Sequence, residues 1–169
     1  MPIKDLLLPE FDSELRKTRD FLELLPTTFE SRDFKPHEKS MTLGALAAHV
    51  ATLPVLGTMV LTTPSLDALT AKFPDGTFVS AAKCLADFDT YARDTRAALA
   101  ASSHADLEHH WKFSVGDFVF SNSTRSCTFT RMCLGHLIHH RAQLGVYLRL
   151  LNLPVPGVYG PSADDKPPA

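Results

Sequence analysis

Three of the chain's eight histidines, His136, His139 and His140, stand within five residues in "HLIHHRAQLGVYLRL". Successive helical residues turn by about 100° around the axis. With His136 at zero, Leu137, Leu144, Leu148 and Leu151 gather at about 60–120° and mark the core-facing sector. His140 falls at about 40° and His136 at the edge of the same sector, whereas His139, at about 300°, points to the surface or a rim. His136 and His140 are therefore the inward pair. The same i, i+4 spacing lets HExxH helices present two imidazoles to one ion. Leu137 stands where that motif has Glu, so the zincin mechanism is excluded.

Two imidazoles rarely hold an ion, and a useful site needs a third ligand from another element with a position left open. On "LGALAAHVATL" the apolar sector is set by Leu43, Leu46, Val50 and Leu53, and His49 lies at its edge. It is a candidate third ligand. Taken alone it reads more often as a half-buried structural histidine than as a ligand, and i, i+4 histidines also occur on exposed faces. His104, His109 and His110 read as helix-end and loop residues, and His37 as a loop residue. Cys133, one turn before His136, reads as a small packed thiol. Gln143 and Tyr147 lie on the His136/His140 stripe, where they could orient a substrate or support a ligand, or simply bond between helices. Arg141 falls at about 140°, on the leucine side. A guanidinium there must meet a carboxylate, because desolvating an unpaired charge costs several kcal/mol. Glu10, Asp12 and Glu14 near the N-terminus and Asp164 and Asp165 in the tail are the choices.

These residues need elements to position them. Residues 3–25 carry Leu7, Phe11, Leu15, Thr18, Leu22 and Leu25 at helical spacing, and Pro26 stops that helix. A second helix follows Ser40 or Thr42 as cap, with Gly57 continuing its stripe and Pro54 kinking it. "TTPSLDALTAKFPDGTF" reads as loop. A third helix spans about Ser80 to Ala101. "WKFSVGDFVF" alternates around a "GD" turn and suggests a short hairpin or irregular insert. The last helix runs from about Thr124 to Leu151, and residues 153–169 form an extended Pro-rich tail. Together these predict one domain over residues 1–169, all-α, a four-helix bundle.

A chain of 169 residues suits one core. A net charge of −2 leaves no basic surplus for a phosphate backbone, so nucleic acid is not an expected partner. The opening "MPIKDLLLPEFDSEL" breaks its apolar run with charges, unlike a leader or a membrane span. Three widely spaced cysteines without CxxC fit free thiols in a reducing cytoplasm. The apolar character of "TFVSAAKCL" and "WKFSVGDFVF" predicts a homodimer through bundle faces.

"KPHEKSMTLGALAAHVATLP", "HLIHHRAQLGVYLRLLNLPVPGVYGPSADD" and "LLLPEFDSELRKT" resemble the DinB-like superfamily over nearly the whole chain. The resemblance is most specific in the lone His of the second helix and the HxxxH before "RAQ". It implies a four-helix bundle in up-down-down-up order, often dimeric. It also implies a metal triad of one second-helix and two last-helix histidines, here His49, His136 and His140. The family commonly has Gly where this chain has Ala142, which bears on helix packing there. Members include thiol-dependent transferases, hydrolases and isomerases, so the fold leaves the reaction open.

Three neutral imidazoles suit Zn²⁺, Ni²⁺ or another divalent first-row ion. Such an ion lowers the pKa of a bound water to about 7, or ionises a thiol. The leading expectation is a metal-dependent enzyme acting on a small molecule, with transfer to or from a low-molecular-weight thiol ahead of hydrolysis. The alternative is a non-catalytic dimer in which the metal only pins two helices. Three protein ligands would favour the first reading and a closed shell of four the second.

Overall fold

The computed structural model describes residues 2–27 and 29–165; Met1 and residues 166–169 of the expected tail lie outside it. Helix α1 (Ile3–Glu23) buries Leu7, Phe11, Glu14, Thr18, Phe21 and Leu22. After a 3₁₀ turn (Phe29–Asp33) comes α2 (Leu43–Thr52), capped by the Thr42 hydroxyl accepting from the Ala45 N–H. Helix α3 (Pro54–Thr62) follows directly, because Pro54 has no N–H to continue the ladder. The break is stitched to the next long helix: Thr95 Oγ1 donates to the Pro54 carbonyl at 2.6 Å and meets Thr58 Oγ1 at 2.8 Å. That helix, α4 (Ala81–Ala101), starts at Ser80, whose hydroxyl accepts from the Lys83 N–H.

The Leu43–Thr62 stretch has the length and hydropathy to cross a membrane. Most of it is instead buried within the protein, where Leu43, Leu46, Val50, Leu53 and Val60 are core residues. Gly57 shows how closely α3 packs. A Cβ there would stand 2.7 Å from Cys133 Sγ and 2.7 Å from Thr95 Cγ2, with Phe129 Cε2 at 3.0 Å. Overpacking a filled core costs about 1–3 kcal/mol. Gly57→Ala should therefore lower stability by about that much in urea denaturation, and an unchanged midpoint would show that the core yields there.

The all-α expectation is overturned by a three-stranded mixed sheet. After α5 (His104–Glu108), strands β2 (His110–Val115) and β3 (Phe118–Thr124) pair antiparallel, in the place expected for a hairpin. The third strand, β1 (Ser65–Asp67), comes from the segment read as loop and pairs parallel with Lys112–Ser114. Three residues are too few to show alternation, and β1 is a strand only because β2 lies beside it. Its burial supports the pairing. Leu66 enters the core, and the Asp67 carboxylate accepts from the N–H groups of Gly116 and Leu69. Gly116, at φ 58°, turns β2 into β3.

The last helical stretch is not continuous either. Helix α6 (Arg125–Phe129), capped by Thr124, passes into a π-helical turn (Thr130–Gly135) and then into α7 (His136–Leu150). Both α1 and α2 pack on α4 and on α7. The tail folds back over α1 and α7. The Asp164 carboxylate pairs with Arg149 and accepts from the Val155 N–H. Tyr159 reaches the buried Glu14 and Arg141 side chains.

Candidate metal centre

His49 projects from the last turn of α2, while His136 and His140 project from the first two turns of α7, a helix packed against α2. The three imidazoles are half-buried and each offers one nitrogen, all within 4.8 Å of one another. His49 Nε2 and His136 Nε2 stand 3.4 Å apart. Two ligands of one tetrahedral ion at about 2.1 Å are separated by about 3.4 Å, so the pair fits a shared ion. No fourth His, Cys, Asp or Glu joins the group among the described residues. His139 is exposed and touches only the edge of the His140 ring, at 4.8 Å between centroids.

Neighbouring polar groups orient the rings. His140 Nδ1 lies 2.7 Å from Gln143 Oε1, one turn on. A proton on Nδ1 then donates to the amide oxygen and leaves the Nε2 lone pair free to ligate, a common outer arrangement for metal-binding histidines. The Met132 carbonyl, inside the π-helical turn, lies close enough to the His136 ring to act towards raising its pKa. Such turns often mark functional sites. This one widens the helix immediately before the first α7 ligand.

Electrostatics keep the site neutral. Burial, and then the proximity of His140 and His136, push the His49 imidazole down to about 4. Burial also lowers His136 and His140, outweighing the Met132 carbonyl and the Gln143 hydrogen bond that act the other way. Neutral imidazoles are the metal-binding form, so the triad is ready to ligate at neutral pH. A second consequence concerns stability without metal. Below pH about 6.5 the unfolded chain takes up protons on these histidines that the folded chain resists, so protonation favours unfolding. The stability of metal-free protein should be full above pH about 6.5 and fall as pH drops towards 4. Urea denaturation at pH 7 and pH 5 checks this, and His49→Ala should flatten the slope. Equal stability of the parent at both values would refute it.

The other residues singled out in the sequence have distinct places. Arg141 is buried and meets Glu14 of α1, with Nη1 2.6 Å from Oε2, as a first-helix partner requires. The pair is not bidentate. Nη2 instead donates to the Tyr159 hydroxyl at 2.8 Å, and that hydroxyl donates to Glu14 Oε2 at 2.8 Å. Lys17 completes the cluster at Glu14 Oε1, 2.7 Å away. Burial alone would raise the Glu14 pKa, but the bonds from Lys17, Tyr159 and Arg141 together hold it below the usual value. Tyr159 escaped the sequence reading because a lone Tyr in a Pro-rich tail carries no periodic signal. Tyr147 donates to the Met41 carbonyl at 3.0 Å and packs edge-on against Phe34. Ala142 is exposed, whereas Gly145 provides the close approach of α7 to Phe21 of α1. His37 accepts from the Lys39 N–H, and His109 bonds the Ala105 carbonyl.

No cysteine joins the triad among the described residues. Cys133 is fully buried and its thiol is pushed up to about 12, and burial raises Cys84 to about 11. Two clefts meet at the imidazoles. One, of about 440 Å³, runs from His49 and His136 past Leu53, Leu56, Phe73, Phe113 and Met132. The other, of about 410 Å³, runs from His140 past Gln143, Tyr147 and Lys39.

A helical core that brings two histidines of one helix to a third on a neighbour defines a candidate three-histidine metal site. The sequence profile of the DinB family matches residues 1–167, and the chain belongs to that family. Its fold is similar to that of a DinB-like protein from Bacillus cereus, with a TM-score of 0.67 and 24% identity, covering 90% of this chain and 95% of that one. It is likewise similar to a DinB-like protein from Bacillus subtilis, with a TM-score of 0.66 and 21% identity over 88% and 96% of the two chains. A comparison with curated proteins gives no match.

Proposed function

We propose that the protein is a metal-dependent enzyme acting on a small molecule, with His49, His136 and His140 as the ligands of one divalent ion. The observation that carries this is the convergence of three neutral imidazoles with no fourth protein ligand among the described residues. Three protein ligands leave a position for substrate or water, as in catalytic rather than structural zinc sites. Zn²⁺ and Ni²⁺ both suit three imidazoles. When bound, the ion supplies a Lewis acid able to ionise a neutral thiol or water near pH 7.

The chain's own residues bind and orient. Gln143 holds the His140 imidazole, and the Glu14–Arg141 pair sets the rotation of α7 against α1. The buried, high-pKa cysteines offer no thiolate. On this reading the nucleophile is an external small molecule, and the apolar lining beside the triad favours a thiol over water. Transfer involving a low-molecular-weight thiol stands ahead of hydrolysis on that ground.

Elemental analysis of purified and reconstituted protein should give one divalent ion per chain. A thiol-transfer and hydrolysis screen should then show activity that chelator removes and metal restores. A reconstituted protein that holds no ion would overturn this reading. A homodimer belongs to the same proposal: Phe118 and Phe120 on β3 are 67% and 60% exposed, and Phe118 pairs in register with the exposed Val115 of β2. An apolar sheet face of this kind suits a second copy. Sedimentation should show a dimer at micromolar concentration, and a monomer there would remove that part.

A further inference from the structure

The three imidazoles lie between two clefts, and only one of them carries a formally charged side chain. On the His49/His136 side the walls are hydrocarbon and aromatic: Leu53, Leu56, Phe73, Phe113 and Met132, with none of the lining residues carrying a formal charge. On the His140 side the charged Lys39 stands with Gln143 and Tyr147 among the apolar Met41, Leu46 and Val146. From these surroundings we infer that the substrate carries an uncharged alkyl or aryl group that enters the cleft between α3 and β2, leaving its reacting atom at the triad. The inference rests on the metal-dependent reading above and adds the substrate class to it.

A charged group entering this cleft would lose its hydration and find no partner among the lining residues. A hydrocarbon group would gain by leaving water, at about fourfold in affinity per buried methylene. The cleft volume, about 440 Å³, is within the range of small-molecule sites and has room for a phenyl or butyl group. The walls come from four separate parts of the chain: α3 (Leu56), the segment before α4 (Phe73), β2 (Phe113) and the π-helical turn (Met132). The strand pairing that overturned the all-α expectation is thus what builds one side. Phe113 in turn stacks on Trp111, with ring centroids 6.4 Å apart. Trp111 is the chain's single tryptophan, so occupancy of the cleft has a built-in fluorescence reporter.

The test uses the full chain loaded with Co²⁺. Ethanethiol, propanethiol, butanethiol and benzyl mercaptan are titrated in turn, each followed by its thiolate-to-cobalt absorption band. Affinity should rise about fourfold per methylene. Phe73→Ser, at a half-exposed loop position outside the core, and Leu56→Ser should each flatten that rise. Lys39→Ala, in the other cleft, should leave the slope as it is. Equal affinity along the series, or a slope unchanged in both cleft variants, would overturn the inference. If cobalt gives no ligand-field spectrum, the metal reading fails, and the cleft is then decided on metal-free protein. Benzyl alcohol should change Trp111 fluorescence saturably in the parent and not in Phe73→Ser. No saturable change in the parent would overturn the inference separately.

Discussion

Replacing Glu14 with leucine should destabilise the protein by about 3–5 kcal/mol, the usual cost of removing one partner from a buried ion pair. Arg141 and Glu14 are 2% and 1% exposed, so neither charge has solvent to fall back on. Without the carboxylate, the guanidinium keeps only neutral hydrogen-bond partners: the backbone carbonyl at position 14, the Thr18 hydroxyl and Tyr159. Arg141→Leu should cost less, because Lys17 and Tyr159 still bond the Glu14 carboxylate. The double variant Glu14→Leu/Arg141→Leu should recover much of the loss, since a matched apolar pair leaves no orphaned charge. A double-mutant cycle by urea denaturation measures all three, and additive losses would show that the two side chains do not act as a pair. Arg141 follows His140 directly, so the pair also aims that ligand. Arg141→Leu should therefore weaken metal retention as well as stability. Parent-like metal affinity in a folded Arg141→Leu protein would reduce Arg141 to a purely structural residue.

His49→Ala should cut divalent-metal affinity by more than about 100-fold, beyond the 10- to 100-fold typical of losing an outer partner of a ligand. His49 alone brings α2 to the ion, and without it only two imidazoles on one helix remain. Gln143→Leu should fall inside the lower range, near 10-fold, because it frees the His140 ring without removing a ligand. His139→Ala should leave affinity within about twofold, its ring lying outside the triad. Competition with a chromophoric chelator ranks the three variants. Binding by His49→Ala at parent affinity would mean that the ion, if held, sits elsewhere. Because bound metal stabilises the folded state, by about 2.7 kcal/mol at a free concentration 100 times Kd, the same ranking should appear in the metal-induced rise of Tm.

Much of this was legible in the sequence for a specific reason: helical periodicity is a local property. The angle between His136 and His140 follows from four residues of α-helix, whatever the rest of the fold does. Pro54, expected to kink the second helical stretch because it has no N–H to give, stands where that stretch divides into α2 and α3. Arg141 on the leucine side had to find a carboxylate, since a buried charge has few alternatives. The short list of partners contained Glu14.

What the tertiary structure alone decided depends on contacts between distant segments. Strand β1 exists because Leu66 and its neighbours lie beside β2, some 47 positions away in register, and no pattern in three residues announces a parallel pairing. The all-α expectation failed at that point. The π-helical turn before His136 was equally hidden, because a wider turn is set by packing of Phe129, Cys133 and Leu134 in the core rather than by composition. Tyr159 joins Glu14 and Arg141 only because the tail folds back over α1 and α7. The 3.4 Å approach of His49 to His136 likewise depends on how α2 and α7 lie against each other, an interhelical fact that a one-dimensional pattern can suggest but cannot measure. Periodicity selects which side chains face inward; packing of distant segments selects which of them meet.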